Sequence, residues 1–176
     1  LKSNKMKEIM EYLDKLKYGN LTFEQESEIN NNSSVFKNYT DYFINEPYPD
    51  VAKTMVEISD LEKLIKSKIE SDNWSDVKDL INHVDKKSID VIEMYVNELG
   101  IEFKKDYLQK ISNKLRVLIL SLKKHYNRPR PYQVACYTNQ PLFPFASKTA
   151  HTPSYPSGHA LQGYFLCRVI AFHNPD

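Results

Sequence analysis

An all-α fold is predicted, and three observations predict it. Apolar residues recur at three- and four-residue steps through most of the chain. No stretch alternates convincingly as a strand would. Only 4 glycines occur in 176 residues, which argues for helices over tight β-turns.

The first helix is expected over residues 3–17, with Ser3 as N-cap. Met6, Ile9, Met10, Leu13 and Leu16 form its apolar face, and Gly19-Asn20 ends it. Residues 20–49 read as polar and irregular, with an exposed loop tip at Asn30–Ser34. N-x-S/T sequons start at Asn20, Asn31, Asn32, Asn38 and Asn73. In so Asn-rich a chain they read as accidental.

Asp50 is the next expected N-cap. Val51, Met55, Ile58, Leu61, Ile65 and Ile69 then make one apolar stripe. Ser75 is expected to cap a shorter helix carrying Val77, Leu80, Ile81 and Val84. Ser88 is expected to cap another, which Gly100 stops. A long helix is predicted over 105–126, buried through Leu108, Ile111, Leu115, Leu118, Ile119 and Leu122.

Asn127-Arg128-Pro129-Arg130-Pro131 cannot continue that helix, because each proline drives its predecessor to an extended conformation. Residues 131–156 carry several more prolines and read as one long structured loop, and loops of such length are often functional. A last helix is predicted over 158–172. It is apolar over much of its surface, so it should be buried. The chain divides into an N-terminal helical arm with a polar loop, residues 1–46, and a helical domain, residues 47–176.

Bulk properties narrow the partners. A net charge of +1 makes no case for nucleic acid or an anionic membrane. No apolar run approaches the roughly 18–20 residues of a membrane span, so the chain reads as soluble. Cys136 and Cys167 are the only cysteines. They are expected to be buried free thiols, with a disulfide as the alternative in an oxidising compartment. No cysteine spacing suggests zinc. Because the chain starts at Leu1, the numbered start is not expected to be the start of translation. A signal peptide removed ahead of it would place the protein in a periplasm or outside the cell.

The chemistry converges on Tyr155-Pro156-Ser157-Gly158-His159-Ala160. A proline-framed loop runs here into an apolar helix, whose free N–H groups and dipole favour an anion. Lys123 lies in the last turn of the long helix, and Arg130 seven residues on. Together they would supply a point charge and a planar fork to one phosphate. Ser157 and the Gly158 N–H would add hydrogen bonds, and glycine lets an anion approach the backbone. His159 can give a proton to a leaving oxygen, since histidine as a residue type titrates near neutral pH. Singly, these residues read as a solvated charge run, an N-cap and a structural histidine. Their joint occurrence carries the functional reading.

Lys123-x6-Arg130-Pro131 followed by Pro156-Ser157-Gly158-His159 resembles the first two signature motifs of the type 2 phosphatidic acid phosphatase superfamily. That group includes bacterial class A acid phosphatases, lipid phosphatases and vanadium-dependent haloperoxidases. The resemblance covers about residues 105–176 and implies a helical bundle of the acid phosphatase and haloperoxidase type. It implies phosphate binding by Lys123, Arg130, Ser157 and Gly158, with His159 as general acid and no metal. The implied activity is metal-independent hydrolysis of a phosphomonoester through a phosphohistidine.

The superfamily's nucleophile is a second histidine, in a third motif Ser-Arg-x5-His-x3-Asp. Cys167-Arg168-x4-His173-x2-Asp176 does not match it, because the spacing fails on both sides of His173. The chain is therefore expected to stop before its own nucleophile. Arg128-Pro129-Arg130-Pro131-Tyr132 resembles the soluble acid phosphatases, and no membrane span argues for the integral lipid enzymes. The run 152–160 also resembles haloperoxidases, in which vanadate would be the cofactor; otherwise no cofactor is expected. His151 lies in the same loop and reads as a surface histidine. The expected partner is a phosphorylated small molecule or a lipid headgroup. A homo-oligomer is left open, as is a non-catalytic phosphate-binding or structural role.

Overall fold

The computed structural model describes every residue except Leu1, Asn32, Phe103, Ala146, Lys148 and Asp176, and the side chains of Lys2 and Ser3 are also left aside. The fold is all-α: 70% of the described residues are helical, with no strand among them. The helices are α1 (Lys2–Leu13), α2 (Phe23–Asn31), α3 (Thr40–Phe43), α4 (Val51–Ile69) and α5 (Trp74–Lys86). They continue with α6 (Ser88–Glu98), α7 (Lys105–Tyr126), α8 (Pro131–Thr138) and α9 (Gly158–His173), and a 3-10 turn, Val35–Tyr39, precedes α3.

Helix α7 is the axis of the molecule. Leu115, Leu118, Ile119, Leu122 and Tyr126 form one core, against Phe36, Ile44, Tyr48, Tyr155, Leu161 and Phe165. Leu108 joins a second core with Ile89, Val96, Leu166 and Ile170 of α6 and α9. Leu13 and Leu16 meet Val51, Ile58, Val134 and Ala135 in a third, which ties the N-terminal helix to α4 and α8. Val117 and Leu120 are also buried, so α7 is enclosed on more sides than its single predicted stripe implies. The phenol of Tyr126 donates to the carbonyls of Phe43 (2.6 Å) and Glu46 (2.8 Å). This pins the chain leaving α3 to the end of α7.

Several expectations are corrected. Residues 20–49 are not irregular throughout, since α2, the 3-10 turn and α3 lie there. Their short, polar faces give weak periodicity; α2 buries Ile29 and pairs with α7 through Glu28–Arg116 (2.9 Å) and Glu26–Lys124 (2.5 Å). The loop 131–156 begins with α8. Pro131 there takes the first helical position, where its missing N–H is no loss, and the Gln133 side chain accepts from the Arg130 N–H at 2.9 Å. Helix α1 ends at Leu13, short of Lys17. Asp50 caps α4 as expected, accepting from the Ala52 N–H at 2.8 Å. Ser75 and Ser88 do not act as caps, because Asn73 and Lys87 hold those positions without a side-chain bond. The Asn32 part of the predicted loop tip and sequons lies outside the described residues.

Helix α9 is only partly buried. Leu166 and Ile170 are enclosed, but Tyr164 and Phe172 are 72% and 81% exposed. Composition alone cannot say which faces of an apolar helix meet a neighbour. Cys136 and Cys167 are both free and exposed, not buried, because each sits on the outer side of its helix.

The turn after α7 sets up the site. Asn127 adopts the left-handed conformation (φ 48°), which asparagine tolerates better than most residues. Arg128 then clamps three segments. Its guanidinium donates to the Pro49 carbonyl (2.9 Å), Thr54 Oγ1 (2.7 Å) and Ser154 Oγ (3.1 Å). Arg128→Ala is expected to lower stability by about 2–3 kcal/mol, since it removes three charge-assisted bonds, one of them to the buried Thr54. Arg128→Lys should recover only part, lacking the planar fork. Urea melts of the three proteins check this, and a loss under about 0.5 kcal/mol in Arg128→Ala would remove the clamp role.

Candidate phosphate-binding site

Residues 128–130 and 152–154 run side by side and are laced together. The Ser154 N–H donates to the Arg128 carbonyl (2.9 Å), and Ser154 Oγ donates to the Pro129 carbonyl (2.7 Å). The Arg130 Nε–H donates to the Thr152 carbonyl at 2.8 Å. The Lys123 ammonium donates to the Pro153 carbonyl. Two cations from α7 and the turn after it are thus fixed against one strip of loop. That strip leads through a cis Tyr155–Pro156 peptide into the N-terminus of α9.

All five residues predicted for the site line one cavity of about 690 Å³: Lys123, Arg130, Ser157, Gly158 and His159. Lys123 is only 6% exposed. Burial first, and the neighbouring Arg130 charge second, pull its ammonium down to about 8. Burial likewise lowers Arg130 from the usual arginine range, partly offset by the Tyr18 and Tyr132 phenols and by Asp85. Neither cation forms an ion pair among the described residues. Their side-chain bonds go to the Pro153 and Thr152 carbonyls, which are dipoles and leave net positive charge facing the cavity.

Ser157 caps α9, with Oγ accepting from the Ala160 N–H at 3.3 Å. Its hydroxyl proton remains to donate. A Cβ on Gly158 would meet Ile119 Cγ2 at 3.6 Å, an ordinary contact. Packing within the fold therefore does not require glycine there, and the expected reason lies on the ligand side.

His159 has a partner that the sequence reading missed. Its Nε2 lies 3.1 Å from the carbonyl of Asp85, at the end of α5. The carbonyl can only accept, so Nε2 carries the proton in this arrangement. The Asp85 carboxylate stands 3.8 Å from the same nitrogen. It accepts from Ser147 Oγ (2.9 Å) and from Thr149 Oγ1. Burial pushes this carboxyl up, but the two hydroxyls and His159 outweigh it and hold it below the usual aspartate range. Nothing local to Asp85 marks it, since it lies 74 residues from His159 in the chain. Arg116 was also missed and lines the same cavity. It is seven residues before Lys123, which two helical turns put on the same face.

His151 and His173 do not line the cavity. His151 is exposed, and its carbonyl accepts from Gln25 Nε2 at 3.4 Å; His173 meets Tyr107 edge-on at the far end of α9. Asp176 lies outside the described residues. No group of His, Cys, Asp and Glu suited to a metal occurs among the described residues. No helix among them is long and apolar enough to cross a membrane.

Comparison with protein-family models, with curated proteins and with solved structures found no match.

Proposed function

We propose that the cavity binds the phosphate of a phosphomonoester and that His159 protonates its leaving oxygen during hydrolysis. One observation carries the reading: a buried lysine and a half-buried arginine, without ion-pair partners among the described residues, share a cavity with the N-terminus of α9. Burying such charges is unfavourable unless something anionic completes them. The tetrahedral oxyanion of phosphate suits them, with Arg130 taking two oxygens and Lys123 a third.

The chemistry follows from charge. As the P–O bond to the leaving group breaks, negative charge grows on that oxygen and on the equatorial oxygens. Lys123, Arg130 and the α9 N–H groups meet the equatorial charge. The imidazolium of His159 gives its proton to the leaving oxygen. In the superfamily resemblance, the phosphoryl group passes to a histidine of the third motif, and water then frees it. That motif is not in these 176 residues. His159 is the only histidine lining the cavity among the described residues. The bundle type that goes with this reading is that of the acid phosphatases and haloperoxidases.

Titration calorimetry with inorganic phosphate and with orthovanadate tests the binding step. One anion per chain is expected. Arg130→Lys should weaken phosphate about tenfold, because a point charge replaces a two-pronged contact. No binding of either anion to the unaltered protein would end this reading. Bromide oxidation by peroxide with vanadate, in place of phosphoester hydrolysis, would move it to a haloperoxidase.

A further inference from the structure

The cavity is too large for a phosphate group alone. Its volume of about 690 Å³ falls in the range of sites that hold whole small molecules, about 300–1,000 Å³. Its length follows α7. Gln109, Asn113, Arg116 and Lys123 all line it, and their spacing is that of one helix face. Arg116 and Lys123 are separated by about 10 Å along the axis, from seven residues at the α-helical rise.

Along α7 the 109–116 stretch of the wall is polar and carries its own cation, Arg116, apart from Lys86 and Lys87 on the facing segment. Gln109 and Asn113 hydrogen-bond each other at 2.9 Å, and Gln162 donates to the buried Ser112 hydroxyl at 3.0 Å. The Arg116 Nε–H contacts both oxygens of Glu28, at 2.9 and 3.0 Å. A guanidinium has four further N–H donors. That ion pair is half-exposed, so an incoming anion loses little by sharing the arginine. The acids at the rim are already engaged. Asp90 pairs with Lys105 at 2.7 Å, and Asp85 holds Ser147, Thr149 and His159.

We infer that the ligand is an elongated, polar phosphomonoester whose leaving group carries a second anionic group, carboxylate or phosphate, seated at Arg116. The inference rests on the phosphate reading of Lys123 and Arg130. Along the 109–116 stretch of α7 an acyl chain would face amides, a hydroxyl and a guanidinium.

A matched pair of probes separates the two ideas: 6-phosphogluconate, with a distal carboxylate, and sorbitol 6-phosphate, with the same chain and none. Both are used as non-hydrolysable methylene phosphonates in titration calorimetry. The distal anion is expected to tighten binding about tenfold, as one partly exposed charge-assisted contact does. Arg116→Gln should bring the affinity ratio of the pair to about one, and Arg116→Lys should keep most of it. Glu28→Gln, which leaves Arg116 in place, should widen the ratio. It keeps the test open if Arg116→Gln does not fold. A ratio near one in the unaltered protein, or a tenfold ratio that survives Arg116→Gln, overturns the inference while phosphate binding stands. Failure of both probes and of inorganic phosphate to bind overturns the phosphate reading beneath it.

Discussion

Lys123→Met is expected to stabilise the protein by about 1–2 kcal/mol at pH 7 while removing its phosphate binding. The reason lies in the proton balance of a buried lysine. In the unfolded chain this side chain holds its proton to about 10.5, but in the fold only to about 8. At pH 7 both states are charged, and the folded state carries the full penalty of a desolvated ammonium. A difference of about 2.5 units corresponds to about 3 kcal/mol. Methionine of similar length removes that penalty but leaves the Pro153 carbonyl without its donor, which costs about 1–2 kcal/mol. The balance favours methionine. Between about pH 8 and 10.5 the unfolded state binds more protons, so stability of the unaltered protein should rise with pH. The rise should be absent in Lys123→Met. Saturating phosphate should reverse the ranking at pH 7, because a ligand at a hundredfold its Kd adds about 2.7 kcal/mol to the protein that binds it. Denaturant melts at two pH values, with and without phosphate, measure all three effects. A Lys123→Met protein that is less stable in anion-free buffer would show that the lysine belongs to the fold and not to a ligand.

That conflict between stability and binding bears on what was legible in the sequence. Lys123 stands beside an apolar stripe in the last turn of α7. The prolines after it force the chain to turn, so its meeting with Arg130 could be read from spacing. The same holds for the bounds of α7, where strong periodicity leaves little choice, and for the Asp50 and Ser157 caps, where a short polar side chain precedes an apolar run. Helix α8 was illegible for a physical reason: proline breaks a helix from within but suits its first turn, and the two cases look alike in sequence. Asp85 was illegible because its role comes from α5 folding back over the start of α9, a contact with no local signature. Arg116 is an intermediate case. Its helical phase with Lys123 was in plain view, yet it reads first as an interruption of an apolar run. The exposed thiols and the open face of α9 show that apolar composition does not identify which side of a helix is covered.

The second large effect concerns His159. His159→Ala is expected to reduce turnover of alkyl phosphates by about 10²–10⁴-fold, the usual contribution of a positioned general acid. With 2,4-dinitrophenyl phosphate the loss should be no more than about tenfold, because that phenolate departs without a proton and needs no acid. In the proposed hydrolysis, the contacts of His159 decide which of its protons could be given. With Nε2 donating to the Asp85 carbonyl at 3.1 Å, the proton available to a leaving oxygen is the one on Nδ1 of the imidazolium. The Asp85 carboxylate stands 3.8 Å from Nε2. Asp85→Asn keeps the carbonyl but removes the charge. It should therefore lower turnover of alkyl phosphates by less than His159→Ala, because the ring keeps its carbonyl partner. The assay uses the complete gene product, with phosphate binding by each variant as the check that the cavity is intact. Because His159 is half-exposed, with a 47% accessible side chain, its removal should leave both the fold and the Lys123–Arg130 floor in place. Equal losses on the two substrates would remove the general-acid role and leave His159 as a contact to the bound phosphate.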